Sequence, residues 1–355
     1  MLSSGNVACS KRLMQKRFEV KPQHIENFMS EKSIHVTDRD LHDFVPPPAA
    51  AHDDSDYLRL LARLNKASLN KRFDAYNDIA WDDPEMQIRR DDPRWELSDH
   101  DALGETKWYR SLPQQSRIAL ALDRTVARMK TGILFESILI RGMMEFLATL
   151  PNGSLEFRYG LHECIEEAQH SLMFQEFINR AGGDPEGLNG ATRLLARYII
   201  SQGRNFPELY FIFVLGGEGP IDYDQREQLK KQNNLHPLMR RIAQIHVTEE
   251  ARHISFANAY LREHVPKLGA WKRLKLRILA PLILGNMGKM FLLPPASVIQ
   301  RYAVPADVIA AAYEQNPAQK RALQAALAPL SMLCRELRIL HPLMEPLWRR
   351  LSLIA

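Results

Sequence analysis

Three ionisable side chains share one face of a helical pattern in which the remaining positions are apolar. His246, Glu250 and His253 are spaced i, i+4 and i+7, so in an α-helix they fall within roughly 60° of arc. Apolar residues extend this stripe in both directions, namely Met239, Ile242, Ala243, Ala257 and Leu261. The other faces carry Arg240, Arg241, Glu249, Arg252 and Arg262. Charged groups in a buried stripe are costly unless something neutralises them, and a bound metal ion would do so.

A second segment repeats the Glu-x-x-His spacing. Glu167 and His170 form this pair, and Phe174 and Phe177 continue their stripe. Two Glu-x-x-His helices, together with one Glu from each of two further helices, make the ligand set of di-iron or di-manganese bundles. Glu136 and Glu218 complete the set, because each is a carboxylate within an otherwise apolar stripe. The pattern therefore predicts a dinuclear metal site.

Two positions near this set admit alternatives. Glu208 lies on the same helical stretch as Glu218, which we prefer because Gly216 and Gly217 before it allow close packing. Glu163 lies one turn before the second motif, and it either accepts a hydrogen bond from a ligand imidazole or faces solvent. We expect three other nearby side chains to stay outside the metal site: Glu145, His162 and Cys164.

Composition excludes several classes of function. Hydrophobic residues make up 45% and charged residues 25% of the 355-residue chain, as in ordinary globular proteins. The net charge is +5, and the short basic clusters lack interleaved aromatic residues, which argues against nucleic-acid binding. Three scattered cysteines do not form a disulfide framework, and no apolar segment follows the basic N-terminal residues as in a secretory signal. We therefore expect a cytoplasmic protein.

The longest apolar run covers residues 278–288. It contains Pro281 and Asn286 and is followed by Lys289, so it is too short and too interrupted to span a bilayer. We interpret it as a buried C-terminal helix and do not expect membrane contact. Peripheral contact with lipid stays open as the lesser alternative, because basic residues between 272 and 277 flank the run.

The helical patterns indicate an all-α fold. Residues 1–52 read as a loosely ordered extension that ends in a Pro- and Ala-rich linker, and residues 53–355 as a single all-α domain with the metal bundle at about 113–265. Long helices are predicted at about 113–149, 154–180 and 236–264, with Pro237 in the first turn of the last. Shorter patterns lie near 189–203, 206–217 and 222–232, and three or four further helices follow residue 270.

On these residues the chain resembles the p-aminobenzoate N-oxygenase family of di-iron arylamine oxygenases. The strongest carriers are His246-x-x-x-Glu250-x-x-His253 and Glu167-Ala-Gln-His170. The resemblance implies a ferritin-like four-helix metal bundle with flanking helices, a homodimer, and an extra histidine ligand, here His246. It implies seven metal ligands: Glu136, Glu167, His170, Glu218, His246, Glu250 and His253.

The resemblance also implies the activity. We expect an O₂-activating di-iron monooxygenase that oxidises an aromatic amine or a related small molecule, with an external electron donor or reductase and two iron ions, manganese being the other candidate. An acyl-chain desaturase or hydroxylase is the first alternative, although such sites typically have six ligands. The second is a non-catalytic iron-binding protein, although storage proteins of this type are usually much shorter.

Overall fold

The computed structural model describes residues 55–99, 101–183, 186, 190–231 and 234–354. The predicted extension, residues 1–52, lies outside these ranges, so its separation from the rest of the chain stays a prediction. The described residues contain helices and no strand, which confirms the all-α class. The α-helices are α1 Asp56–Asn70, α2 Lys107–Ser111, α3 Gln114–Leu147, α4 Leu155–Ala181, α5 Gly190–Asn205, α6 Pro207–Lys231, α7 Pro237–His264, α8 Ala270–Leu292, α9 Ala296–Arg301, α10 Ala306–Ile309, α11 Pro317–Glu336 and α12 Glu345–Arg350.

Local sequence signals set the ends of the long helices. Ser154 caps α4, since its hydroxyl accepts a hydrogen bond from the Phe157 amide at 3.1 Å. At the other end, Gly182 adopts the left-handed conformation, with φ of 66°. Pro237 occupies the first turn of α7, as predicted, where its missing N–H costs no hydrogen bond. These signals explain why the predicted bounds of α3, α4 and α7 agree with the structure to within about two residues.

One prediction was wrong in α6. We expected separate helices near 206–217 and 222–232, but the structure has a single helix, Pro207–Lys231, with Pro220 inside it. Glycines and a proline at this point look like a helix end in the sequence. Packing against α7 and α8 holds the helix together although Pro220 cannot donate the usual backbone hydrogen bond. After residue 270 the described residues hold five α-helices rather than three or four, because three have only four to six residues.

Helices α3, α4, α6 and α7 form the bundle. α3 packs mainly on α4, α6 packs mainly on α7, and smaller contacts join the two pairs. Two apolar clusters lie at different positions along the length of the bundle. One includes Ile118 and Leu122 of α3 with Ile242 of α7, and the other includes Phe146 of α3 with Phe256 of α7. The polar residues of the candidate site lie between these clusters along the helices.

Candidate metal centre

The seven predicted ligands converge inside the bundle, and all seven are buried. Their possible ligand atoms form two groups of four, and within each group all the atoms lie within 4.8 Å of one another. The first group is Glu136, His170, His246 and Glu250, and the second is Glu167, Glu218, Glu250 and His253. Glu250 belongs to both groups, so its two oxygens are placed to serve two sites.

Glu250 and Glu167 each place one carboxylate oxygen near His170 and the other near His253. Oε1 of Glu250 lies 3.6 Å from Nδ1 of His170, and its Oε2 lies 3.5 Å from Nδ1 of His253. Oε2 of Glu167 lies 3.0 Å from the same nitrogen of His170, and its Oε1 lies 2.8 Å from that of His253. Two carboxylates therefore lie between two imidazole nitrogens, an arrangement in which both carboxylates can bridge a pair of metal ions.

Several polar atoms at this point make no hydrogen bond although they are buried. They include both oxygens of Glu218, both oxygens of Glu250 and both ring nitrogens of His246. Leaving such a group without a partner costs about 1–3 kcal/mol each, so this many at one place would be strongly destabilising. Carboxylate oxygens and neutral imidazoles are the donors that first-row divalent metals accept. The residues present thus fit two metal ions.

The pKa values of the site show how strongly its charges interact. Burial, and then the neighbouring carboxylates, raise the pKa of Glu136 and of Glu218 well above the usual range. Burial alone would lower the pKa of His170, but its hydrogen bond to Glu167 and nearby carboxylates raise it to about 10. Burial lowers the pKa of His246 well below its usual value, and the charge of His170 adds to this. In the metal-free protein, protons therefore balance the charge that cations would otherwise balance.

His246 is held by stacking rather than by hydrogen bonds. Its ring stacks on that of His170, with centroids 4.5 Å apart, and on that of Phe174, with centroids 5.6 Å apart. Its Nε2 lies 3.5 Å from Glu250 Oε1 and 3.7 Å from Glu136 Oε1. A neutral imidazole that faces two carboxylates in this way is a suitable additional metal ligand.

A second layer of buried charges, which the sequence analysis missed, supports the two motif histidines. Nε2 of His170 lies 3.0 Å from Oε2 of Glu249, and Nε2 of His253 lies 2.8 Å from Oε2 of Glu166. Arg252 joins the two acceptors, with Nη2 lying 2.9 Å from Glu166 Oε1 and 3.5 Å from Glu249 Oε1. A carboxylate at Nε2 favours a proton there, which leaves Nδ1 free to bind a metal.

The sequence does contain a signal for this layer. A second glutamate directly precedes the ligand in each motif, as Glu166-Glu167 and Glu249-Glu250. Each preceding glutamate contacts the histidine of the other helix, so the pairing crosses between α4 and α7. We placed Glu249 and Arg252 on faces away from the ligand stripe, and that angular position implied exposure. Both are buried instead, because α7 is covered on that side as well.

The glycines before Glu218 are required by the packing, as the sequence suggested. A Cβ at Gly216 would collide with Leu284 of α8, and a Cβ at Gly217 would collide with the ring of Phe135, beside Glu136. Glu208, the alternative to Glu218, lies in the first turn of α6 and belongs to neither ligand group. The preference for Glu218 therefore agrees with the geometry.

Glu163 matches neither alternative considered for it. It is buried, so the solvent-facing alternative is wrong, and Nε2 of His253 pairs with Glu166 instead. Burial raises the pKa of the Glu163 carboxyl to about 8, so it holds a proton at neutral pH.

The three side chains expected outside the site are outside it. Glu145 pairs with Arg204 at 3.6 Å on the bundle surface, and His162 is only half-buried. Cys164 belongs to an apolar core cluster. None of the three contributes to either ligand group.

Comparison with known proteins decides the family. The family described as P-aminobenzoate N-oxygenase AurF matches residues 54–338. The chain belongs to this family. It is 37% identical over 297 residues to Uncharacterized protein Rv0885 of Mycobacterium tuberculosis, covering 84% of this chain and 87% of that protein. Uncharacterized protein Mb0909 of Mycobacterium bovis matches to the same extent. No solved structure matches the chain.

Membership of the AurF family fixes the broad chemistry. The family is a ferritin-like family of di-iron oxygenases, so this AurF-family chain is assigned as an oxygenase with a small-molecule substrate. Its buried glutamates and histidines could hold metal ions. No helix in the described part of the chain is long and apolar enough to cross a membrane.

Proposed function

We propose that this chain is an O₂-activating di-iron monooxygenase that oxidises the nitrogen of an aromatic amine. The observation that carries the proposal is the pair of ligand groups that share Glu250. Reduction of O₂ to the oxidation level of water takes four electrons, and the amine supplies two of them when it accepts one oxygen atom. The other two must come from a reductant: arylamine, O₂, two electrons and two protons give an arylhydroxylamine and water. We expect an external electron donor to supply those electrons, and we expect the chain to act as a cytoplasmic homodimer.

The proposed ligands are the seven residues predicted from the sequence. Glu136, His170 and His246 would serve one iron and Glu218 and His253 the other, with Glu167 and Glu250 between them. The two irons, when bound, supply the reduction of O₂ and the oxidation of the substrate. We favour iron over manganese because the family is a di-iron family.

The surrounding side chains have distinct tasks in this proposal. Glu249 and Glu166 orient the imidazoles of His170 and His253, and Arg252 holds both carboxylates in place. Burial of every ligand keeps bulk water away from the site and so would limit side reactions there.

Access for a small molecule is best supported between α3 and α6. Two segments beside the ligands are half-buried: residues 130–134 of α3, just before Glu136, and residues 219–225 of α6, just after Glu218. On the side of α4 and α7, the buried side chains of Glu166, Glu249 and Arg252 close the site. An ion pair between Arg128 and Asp224 joins α3 and α6 farther out. A flat aromatic substrate could approach the ligands along this side.

The test is a product analysis with labelled oxygen. The protein is loaded with Fe²⁺ without air, reduced, and given ¹⁸O₂ with a panel of arylamines. We expect an ¹⁸O atom in every N–O bond that forms, which means one in a hydroxylamine or nitroso product and two in a nitro product. If arylamines give no product while an acyl thioester is hydroxylated or desaturated, the substrate class is wrong. Uptake of iron without oxidation of either class would favour a non-catalytic iron-binding protein.

A further inference from the structure

Helix α8 has a second apolar face that is exposed in the described part of the chain. Its inner face, with Leu276, Ala280 and Leu284, is buried against the rest of the chain. Its outer face carries Trp271, Leu274, Ile278 and Leu282, which are 67%, 43%, 41% and 41% exposed. Their spacing of three, four and four residues places them within roughly 80° of arc. The predicted buried helix is therefore buried on one side only.

The charges of α8 all have one sign. Lys272, Arg273, Lys275 and Arg277 lie in its first two turns, and residues 270–292 include no aspartate or glutamate. In the described part of the chain none of these four side chains forms an ion pair. Arg273 and Arg277 donate to backbone carbonyls, and the ammonium groups of the two lysines lie over aromatic rings. The face thus combines exposed apolar surface with positive charge that no acidic side chain among the described residues offsets.

This combination fits an anionic lipid surface better than a second copy of the chain. In a two-fold dimer the same patch meets itself, so the two copies of α8 would bring their basic side chains together without an acidic side chain of α8 to offset them. Anionic headgroups instead attract each Lys or Arg that lies near the membrane surface. The apolar stripe can enter the headgroup boundary, where Trp side chains are favoured. The helix is not apolar enough to cross the bilayer, so it would lie on it.

We propose that α8 docks this protein onto the surface of an anionic lipid bilayer through Trp271, Leu274, Ile278 and Leu282. The proposal goes beyond the oxygenase function and does not depend on it. Leu284 and Met287 on the inner face of α8 pack against Gly216 of α6, two residues before Glu218. The docked helix therefore lies directly against the helix that carries a proposed ligand, and a poorly water-soluble substrate could reach the enzyme from the lipid.

The experiment uses the full-length protein as isolated, with any bound metal retained, and vesicles of phosphatidylcholine with or without phosphatidylglycerol. We expect co-sedimentation with the phosphatidylglycerol vesicles and much less with phosphatidylcholine alone, with binding weakened by added salt. Trp271 is the most exposed tryptophan, and Trp81, Trp95 and Trp348 are buried. Docking should therefore shift the tryptophan emission to shorter wavelength, and Trp271→Phe should abolish most of that shift while retaining binding.

Two double variants and two controls separate the contributions. Lys272→Glu with Lys275→Glu, and Leu274→Gln with Ile278→Gln, should each weaken vesicle binding roughly tenfold or more. Arg63→Glu with Lys66→Glu, on exposed positions of α1, makes the same change in net charge and should leave binding unchanged. Leu194→Gln, at an exposed position of α5, is the matched apolar control.

Three outcomes would overturn the proposal. The first is failure of the wild-type protein to bind phosphatidylglycerol vesicles at low salt. The second is full binding by both α8 double variants. The third is light scattering that shows a dimer in the wild type and a monomer in the Leu274→Gln, Ile278→Gln variant, because the face would then join two copies.

Discussion

Glu249 of α7 lies 3.0 Å from Nε2 of His170 on α4, although the two residues are 79 positions apart in the chain. The reciprocal contact joins Glu166 of α4 to His253 of α7. Each helix thus provides a histidine to the candidate metal centre and a carboxylate that orients the other helix's histidine. The site is therefore coupled across the bundle, and changes in this layer should affect metal binding without removing a proposed ligand.

The first prediction concerns this layer. Glu249→Ala removes the acceptor at Nε2 of His170 and should weaken metal binding roughly 10- to 100-fold, with the metal ligands all present. Glu249→Gln keeps an acceptor oxygen and should lose less. Competition with a chelator of known affinity measures the effect. The control is Glu263→Ala in the last turn of α7, which breaks an exposed ion pair with Lys267 just beyond the helix. Equal losses in all three variants would argue against the orienting role.

The second prediction concerns stoichiometry. Protein loaded with iron should hold about two ions per chain, because two groups of four ligands converge. Glu250→Ala affects both groups and should reduce loading far more than His246→Ala, which removes one neutral ligand from one group. Elemental analysis after desalting measures both. Glu145→Ala, in the surface ion pair of α3, should load like the wild type. A wild-type value of one ion per chain would contradict the dinuclear site.

The third prediction concerns the contact of Gly217 with Phe135, since a Cβ at position 217 would overlap that ring. Gly217→Ala should lower the free energy of unfolding by about 1–3 kcal/mol. It should also impair metal loading, because the clash lies beside Glu136 and Glu218. Adding Phe135→Leu should restore part of the loss in a double-mutant cycle.

Gly219→Ala provides the matched control on the same helix. Nothing lies within 4 Å of a Cβ at Gly219, so this change should be neutral or stabilise the helix by about 1 kcal/mol or less. Urea unfolding of the wild type, Gly217→Ala, Phe135→Leu, their double variant and Gly219→Ala gives all the free energies. If alanine at 217 and alanine at 219 change the free energy of unfolding equally, the change reflects helix propensity and not the overlap with Phe135.

The fourth prediction concerns pH. The pKa of His170 is about 10 in the folded metal-free protein, against about 6.5 in an unfolded chain. A raised pKa contributes stability that is complete below the unfolded value and is lost as the pH rises through the folded value. The melting temperature of the metal-free protein should therefore fall between about pH 6.5 and 10. Bound metal should displace the protons, so the loaded protein should show a smaller fall, and its metal affinity should increase with pH.

The sequence alone was enough to predict the residues that meet at the site. Their helical register is a local property: His246, Glu250 and His253 recur with the period of one helix face, and Glu167 and His170 repeat it. The helix ends followed from local signals as well, such as Ser154, Gly182 and Pro237. Local patterning was sufficient here because hydrogen bonds and side-chain faces within a helix depend on near neighbours in the chain.

Only the tertiary structure decided what surrounds those residues. Glu166, Glu249 and Arg252 lie off the apolar stripe of their own helices, and they are buried because other elements cover those faces. In the opposite sense, α8 looked apolar enough to be enclosed, yet its outer stripe has no cover in the described part of the chain. The continuity of α6 through Pro220 likewise depends on its neighbours. A helix face is buried only if another element packs against it. The periodicity of a single segment shows whether a face is apolar or charged, but it does not show which element of the fold will contact that face.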